Sequence, residues 1–273
     1  MKRPIFFISD RTGITAEMLG HTLLTQFEHM EFERINCPFV DSAEKVAAVV
    51  EQINHAAERG DGRPLVFSSL VDPELREQVG RCNGVLFDLF DAFINPLETE
   101  LGVRASHSVG RSHGMGVYAT YKTRIDAVNF VLVNDDGTST RHYSDADIVL
   151  IGVSRSGKTP TCIYMAMQYG VFAANYPFTE DDFDGKQLPA SVRGHTPRLF
   201  GLTISPLRLQ QIRNERRPGS RYASISQCEF EVRSAENLFH RHGIPSIDTT
   251  ECSIEEIASR IIDRKGIERR LRP

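Results

Sequence analysis

Apolar and polar positions alternate along the first hundred residues in a way that predicts alternating strands and helices. Four short apolar runs predict strands: "PIFFIS", "INCPFV", "RPLVFSSL" and "GVLFDLF", the last being either a strand or the start of a buried helix. Longer segments between them have helical spacing: "TAEMLGHTLLTQF", "SAEKVAAVVEQINHAAERG" and "DPELREQVGR". This alternation predicts a parallel sheet with helices on both faces.

Details of two of these helices follow from the same pattern. The second predicted helix has a capping serine at Ser42 and a glycine, Gly60, just past its end. In the first helix, five residues share one side: Met18, Leu19, Thr22, Leu23 and Phe27.

The pattern lapses between about residues 102 and 122, in a stretch rich in Gly, Ser and His. Such a composition predicts a domain boundary or a mobile segment. We therefore predict an N-terminal α/β domain at residues 1–105 and a second domain at 106–273. His107 and His113 lie in this stretch, but they lack the partners that a metal site needs. They are either histidines of a substrate-facing loop or simple loop residues.

The second half again alternates. Strands are predicted at "DAVNFVLV", "DADIVLIG", "VFAANY" and "RLFGLTI", and helices at "TPTCIYMAMQYG", which ends at Gly170, and "PLRLQQIRNERR". The stretch "GIPSIDTTECSIEEIASRII" predicts a strand, a turn and a helix with a capping box at Ser253 and Glu256. The segment "IDTTECSIEEIASRI" within this stretch resembles the last strand and helix of small phosphate-loop kinases. The predicted fold class is therefore α/β, with an N-terminal parallel-sheet domain and a C-terminal phosphate-loop kinase-like domain.

Composition narrows the classes of function. The 273 residues are 40% hydrophobic and 25% charged, and the net charge of −4 supplies no overall basic field for nucleic acid or an anionic membrane. No apolar stretch reaches spanning length, and the apolar run at the N-terminus is too short for a signal peptide. Five scattered cysteines suggest neither a disulfide framework nor a zinc site, so a reducing cytoplasm fits best.

The strongest motif is the eight-residue segment "GVSRSGKT", which fits the phosphate-loop pattern G-x-x-x-x-G-K-[ST]. A predicted strand precedes it and a predicted helix follows it, as the motif requires. The glycines allow backbone N–H groups to surround an anion. Lys158 would neutralise phosphate, and the Thr159 hydroxyl would bind magnesium. The predicted binding residues are Gly152, Val153, Ser154, Arg155, Ser156, Gly157, Lys158 and Thr159. The alternative is a glycine-rich turn that caps a helix.

A phosphate-transfer site also needs a carboxylate, and no apolar strand ending in Asp follows the loop. Asp135 and Asp136 in "NDDG" are the preferred candidates, in a turn between two strands, although a plain hairpin turn explains the same residues. Asp88 and Asp248, each near a strand end, are weaker candidates.

Three further sets of residues each allow two interpretations. Five arginines could close on bound phosphates as a lid, or could form a solvated helix face: Arg208, Arg213, Arg216, Arg217 and Arg221. Arg155 could contact phosphate or point to solvent. In "SDRTGITAE", Thr12, Gly13 and Thr15 could bind a phosphate or simply cap a helix.

Several segments in order resemble those of the bacterial phosphoenolpyruvate synthase regulatory proteins. They are "SDRTGITAE", "RIDAVNFVLVNDDG", "ADIVLIGVSRSGKTP", "AANYPF", "LFGLTI", "RYAS" and "SIEEIA", and they cover nearly the whole chain. Regulators of pyruvate, phosphate dikinase are relatives with the same loop. The "SRYAS" and "AANYPFTEDD" stretches are closer to the synthase type.

The resemblance implies a bifunctional enzyme that phosphorylates a threonine of phosphoenolpyruvate synthase with ADP and removes the phosphate with inorganic phosphate, releasing pyrophosphate. It also implies a homodimer. Because the attacking threonine must lose a proton, we assign Asp136 as the base, with Asp135 as the alternative. Competing hypotheses are a regulator of pyruvate, phosphate dikinase, an ATP-dependent small-molecule kinase, and a non-catalytic nucleotide sensor.

Overall fold

The chain divides into two compact units, Met1–Gly114 and Met115–Pro273. The structure, a computed structural model, describes residues 2–59, 62–106, 118–137, 139–185 and 187–271. The predicted helix end at Gly60 and the two histidines His107 and His113 lie outside the described residues. Within the described ranges, no helix is both long enough and apolar enough to cross a membrane.

The first unit is built on a parallel sheet with strand order β2-β1-β3-β4. Its strands and helices are β1 (Arg3–Ile8), α1 (Ile14–Leu24), β2 (Phe32–Cys37), α2 (Ala43–Glu58), β3 (Leu65–Ser68), α3 (Pro73–Val79), β4 (Val85–Asp88) and α4 (Asp91–Leu101). Along β1, Phe6 and Ile8 pack into the core beneath α2, whereas Ile5 and Phe7 pack against α1. The predicted parallel sheet, covered on both faces, is confirmed.

Helix α1 packs through its small residues, and the side that carries Met18 is the exposed one. Ala16, Gly20 and Leu24 are the buried residues of the helix. A Cβ at Gly20 would lie 2.5 Å from the ring of Phe7, so only glycine allows this close approach. Met18 and Phe27 are exposed.

The second unit contains another parallel sheet, in the order β6-β5-β7-β8. Its elements are α5 (Tyr118–Val133), β5 (Ile148–Val153), α6 (Lys158–Tyr169), β6 (Ala173–Phe178), α7 (Ala190–Arg193), β7 (Leu199–Thr203), α8 (Pro206–Arg216), α9 (Ile225–Arg241), β8 (Ser246–Asp248) and α10 (Ile254–Lys265). Strand β5 is buried along its whole length, between β6 and β7. Helices α5, α6 and α10 pack on one face of the sheet, and α8 and α9 on the other.

Two local predictions differ from the structure, and some helices were not predicted. The segment "DAVNFVLV" is the end of helix α5, not a strand, and it packs on the sheet through Ala127 and Val131. Strand β2 begins at Phe32 and ends at Cys37, earlier than predicted. Helices α4, α7 and α9 have no counterpart among the predicted elements. At α10 the Ser253 hydroxyl accepts the N–H of Glu256, which is one half of the predicted capping box.

Candidate active site

The phosphate-loop sequence lies where its motif requires, between a buried parallel strand and a helix. Strand β5 ends at Val153, residues 154–157 form the turn, and α6 begins at Lys158. Gly157 caps the helix in a left-handed conformation, with φ 89°. The first turn of α6 therefore faces the loop with its unpaired N–H groups, which is the arrangement that suits an anion.

Gly152 allows the neighbouring strand to approach the loop. Its φ is 151°, and a Cβ at this position would lie 2.3 Å from the carbonyl oxygen of Leu202 in β7. Backbone atoms of a central strand cannot move aside without disturbing the sheet. By contrast, a Cβ at Gly157 would meet nothing within 4 Å.

This contrast gives a prediction for two alanine variants. We expect Gly152→Ala to lose about 3 kcal/mol of unfolding free energy, because the new methyl group clashes with backbone. Gly157→Ala should lose only about 1–2 kcal/mol, the general cost of a left-handed conformation. Because the chain contains no tryptophan, urea unfolding would be followed by circular dichroism. Equal losses in the two variants would contradict the clash.

Four carbonyl oxygens of the loop accept hydrogen bonds from side chains of the protein. The pairs are Val153 O with Lys158 Nζ at 2.8 Å, Ser154 O with Arg213 Nη2 at 3.1 Å, Ser156 O with Thr249 Oγ1 at 3.2 Å, and Gly157 O with Thr161 Oγ1 at 2.8 Å. A peptide group whose carbonyl is held on one side presents its N–H on the other. For Ser154 and Ser156, whose carbonyls are held by the distant residues Arg213 and Thr249, the arrangement favours N–H groups that face the inside of the loop, as in an anion-binding nest.

Lys158 is a buried cation within this loop. It is only 4% exposed, and its ammonium group donates to the carbonyl of Val153. Burial lowers the pKa of Lys158 to about 8, and the negative charge of Asp136 opposes that shift. The amine is therefore mostly protonated at pH 7, and its charge is available to an anion that displaces the carbonyl.

Asp135 joins the loop to the end of α5. Its Oδ1 accepts a hydrogen bond from the Thr159 hydroxyl at 2.8 Å and another from the Asn175 amide at 2.5 Å. Asn175 lies in β6 and is completely buried. Its side-chain oxygen, Oδ1, accepts the backbone N–H of Asp136 at 3.1 Å, so the side chain of one asparagine holds both aspartates.

The predicted location of the two aspartates between two strands is wrong. Asp135 and Asp136 form a 3₁₀ turn, Asp135–Gly137, after helix α5, and Asp136 has a left-handed φ of 50°. The structure nevertheless brings Asp135 to the loop. Asn175 was missed in the sequence, although a polar residue inside the apolar strand "AANYPF" is a signal that could have identified it.

Magnesium would fit the oxygen pair formed by Asp135 and Thr159. Hard oxygen ligands suit this ion, and it commonly takes only one or two protein ligands, completing its shell with phosphate oxygens and water. Among the described residues no cluster of three His, Cys, Asp or Glu side chains could hold a metal by itself. The chain's own donors therefore suit a magnesium ion that arrives with a phosphate ligand.

For one of the five arginines, both alternatives, a lid and a solvated helix face, are wrong. Arg213 is completely buried and forms an ion pair with Glu231 at 2.6 Å, so it is part of neither a lid nor a solvated face. Arg208 and Arg221 are exposed, and Arg221 pairs with Glu180. Arg155 adopts a left-handed φ of 77° at the tip of the loop.

The remaining candidates have other partners or stay untested. Asp88 pairs with Arg76 at 2.7 Å, and Asp248 accepts the N–H of Thr250. Both carboxylates thus have evident structural roles. Gly13 caps α1 in a left-handed conformation, and Thr12 and Thr15 are exposed. Phosphate binding at this N-terminal loop stays a prediction.

Comparison with known proteins gives a consistent result over the whole chain. A protein of Stutzerimonas stutzeri (strain A1501), named "Putative phosphoenolpyruvate synthase regulatory protein", is 56% identical over 272 residues and covers 100% of both chains. Proteins of the same name from Pseudomonas savastanoi pv. phaseolicola and Ectopseudomonas mendocina are 54% and 55% identical over the same length. The family described as kinase/pyrophosphorylase matches residues 5–262. The chain that carries this loop therefore belongs to the kinase/pyrophosphorylase family.

Proposed function

We propose that the protein regulates phosphoenolpyruvate synthase by moving a phosphoryl group on and off one of its threonines, with ADP as donor and inorganic phosphate as the acceptor in reverse. The observation that carries this proposal is the loop after β5, where Lys158 and the Thr159–Asp135 pair lie beside the turn. The names of the full-length relatives support the synthase, rather than pyruvate, phosphate dikinase, as the target. The homodimer that the family resemblance of the sequence implies is part of this proposal.

In the forward reaction, the threonine hydroxyl oxygen attacks the β-phosphorus of ADP. The bond between that phosphorus and the bridging oxygen breaks, AMP leaves, and the proton of the hydroxyl passes to the carboxylate of Asp136. The loop N–H groups and the Lys158 ammonium hold the diphosphate and stabilise the charge that shifts during transfer. Positioning and charge stabilisation supply most of the catalysis in such phosphoryl transfers.

In the reverse reaction, an oxygen of inorganic phosphate attacks the phosphorus of phosphothreonine. The phosphorus–oxygen bond to threonine breaks, pyrophosphate is released, and the proton that the attacking phosphate loses passes by way of Asp136 to the threonine oxygen. Both directions place two phosphate groups beside the same loop. Magnesium, when bound at Asp135 and Thr159, would supply further charge neutralisation.

Binding of ADP tests the site directly. At a hundred times its dissociation constant a ligand stabilises the folded state by about 2.7 kcal/mol. For a protein of this size we expect an increase in melting temperature of roughly 5–10 °C with ADP and magnesium. AMP, which lacks the β-phosphate, should give a smaller shift. No shift at millimolar ADP would contradict a nucleotide site at the loop.

The reaction itself is tested by incubating the protein with purified phosphoenolpyruvate synthase and ADP, followed by mass spectrometry for phosphothreonine. Transfer only from ATP to a small molecule would support an ATP-dependent small-molecule kinase instead. Nucleotide binding without any transfer would support a sensor. A parallel incubation with pyruvate, phosphate dikinase distinguishes the two protein targets.

A further inference from the structure

A buried arginine from α8 reaches the phosphate loop across 59 residues of sequence. Arg213 Nη2 donates to the carbonyl of Ser154 at 3.1 Å, and Nη1 donates to the carbonyl of Tyr222 at 3.0 Å. The guanidinium carbon lies 4.0 Å from the centre of the Tyr222 ring, within the range of a cation–π contact. The Tyr222 hydroxyl in turn donates to Ser154 Oγ at 3.1 Å. Ser154 is thus held through both its backbone and its side chain.

The charge of Arg213 is neutralised inside the protein. Glu231 in α9 accepts from Nη2 at 2.6 Å, and its other oxygen accepts from the Gln227 amide at 3.0 Å. Gln227 also donates to Glu180 at 2.8 Å. Gln227 thus holds the carboxylate of Glu231 in position, and Glu231 in turn holds the guanidinium of Arg213.

Stability alone is a weak reason for this arrangement. Replacing a buried ion pair by apolar residues of similar volume is often neutral or stabilising, because both charges must lose their water. Arg213 is completely buried, and its Nε has no hydrogen-bond partner among the described residues. What an apolar pair could not provide is a donor for the carbonyl of Ser154. That carbonyl lies directly before Arg155, whose left-handed φ of 77° is unfavourable for a residue with a side chain.

We propose that Arg213 and Tyr222 are positioning residues that fix the Ser154–Arg155 side of the phosphate loop for phosphoryl transfer. The proposal rests on the function proposed above. Neither side chain needs to touch the nucleotide, because both act through Ser154. Nucleotide binding is shared among many groups of the loop, whereas the transfer step requires each donor to be aligned with the developing charge. We call the contacts of Arg213 and Tyr222 with Ser154 the clamp. Loss of the clamp should therefore reduce turnover more than it reduces the affinity for ADP.

Arg213→Lys tests the clamp, and the chain offers a matched control. Arg270 also donates to a carboxylate, Asp147, and to a carbonyl, that of Gly170 at 3.1 Å, and its guanidinium lies 4.8 Å from the centre of the Phe172 ring. Asp147 directly precedes β5, so this cluster lies at the end of the strand opposite the loop. Arg270→Lys removes similar contacts away from the site, although Arg270 is more exposed than Arg213.

For Arg213→Lys we expect kcat for threonine phosphorylation from ADP to fall at least about tenfold, because small misplacements of catalytic groups slow the transfer step. The KM for ADP should change by less than about threefold. Tyr222→Phe keeps the ring and removes only the hydroxyl bond to Ser154, so it should lower kcat by about threefold and remain folded even where Arg213→Lys does not. Arg270→Lys should keep kcat within about twofold of the wild type. A lower melting temperature with a normal kcat per folded molecule in both clamp variants would overturn the proposal. A decrease in kcat equal to that of Arg270→Lys would overturn it as well.

Hydrogen exchange of the ligand-free protein separates this proposal from the proposed function. If the wild type transfers no phosphate from ADP, the proposed function fails, but the clamp is still measurable. Exchange in a peptide covering residues 153–159 should be at least about fivefold faster in Arg213→Lys than in the wild type or in Arg270→Lys, because local opening of the loop becomes easier. Unchanged exchange in that peptide would overturn the clamp by itself.

Discussion

Replacing Lys158 by alanine is expected to reduce threonine phosphorylation and its phosphate-dependent reversal together, each by about a thousandfold, the range seen for cationic groups that neutralise a transferring phosphoryl group. The reason is that, in the proposed function, both reactions use the loop in which this one buried ammonium lies. Burial lowers the pKa of Lys158 to about 8, so the group is still mostly cationic at pH 7. Both activities would be measured on one preparation, with the fold checked by circular dichroism.

Lys158→Met serves as the companion variant, because it keeps most of the side-chain volume and removes only the charge and the donor to Val153. It should be as inactive as the alanine variant. ADP should also compete with inorganic phosphate in the reverse reaction, since both would occupy the same loop. A variant that has lost phosphorylation but still releases pyrophosphate would instead indicate two sites. Thr12→Val would then test the loop around Thr12 and Gly13 as the second one.

The strand, loop and helix that carry Lys158 could be predicted because their signals are local. Strand β5 is a continuous apolar run, and the glycines mark the turn. Helix α6 begins at Lys158, and Gly170 caps it directly after its last residue, Tyr169. Parallel pairing followed from the alternation of strands and helices. These features depend on residues that are neighbours in the sequence, so periodicity and turn chemistry were sufficient.

The end of helix α5 was predicted as a strand because exposed apolar residues obscure the helical periodicity of its buried ones. Ala127 and Val131, four residues apart, are buried, but Leu132 and Val133 are 61% and 55% exposed. Consecutive apolar residues with a β-branched valine at the end indicate a strand when read without the fold. Packing of the helix on β6 and α6 overrides that local preference.

The parts of the site that join distant segments could not be predicted. Asp135 meets Asn175 across 40 residues, and Arg213 meets Ser154 across 59. Nothing in the composition of α8 distinguishes Arg213 from the exposed arginines around it. Its burial follows from the position of α9, a helix for which the sequence reading had no prediction. Contacts between residues so far apart in the sequence can be predicted only when the order of the strands in the sheet is known.

Replacing Asp136 by asparagine is expected to slow threonine phosphorylation by a factor of about a hundred to ten thousand, the usual cost of losing a general base. An amide has nearly the same shape as the carboxylate but cannot take the proton of the attacking hydroxyl. The backbone bond from Asp136 to Asn175 does not depend on the side chain, so the turn should remain in place. Single-turnover transfer to phosphoenolpyruvate synthase gives the rate, and calorimetric titration gives the affinity for ADP, which should change by less than about threefold because proton transfer is absent from the ground state.

The adjacent residue is the matched control, because the two aspartates have different partners. Asp135 already accepts from Thr159 and Asn175, so Asp135→Asn should disturb the proposed magnesium site and weaken ADP binding in the presence of magnesium. Asp136→Asn should leave that magnesium dependence as in the wild type. Equal losses of affinity and rate in Asp136→Asn would make Asp136 a structural or metal-binding residue, and an unchanged rate would remove it from the reaction. If only Asp135→Asn slows threonine phosphorylation while keeping its affinity for ADP, then Asp135 is the base. The carboxylate that accepts the Thr159 hydroxyl would then also accept the proton of the attacking threonine.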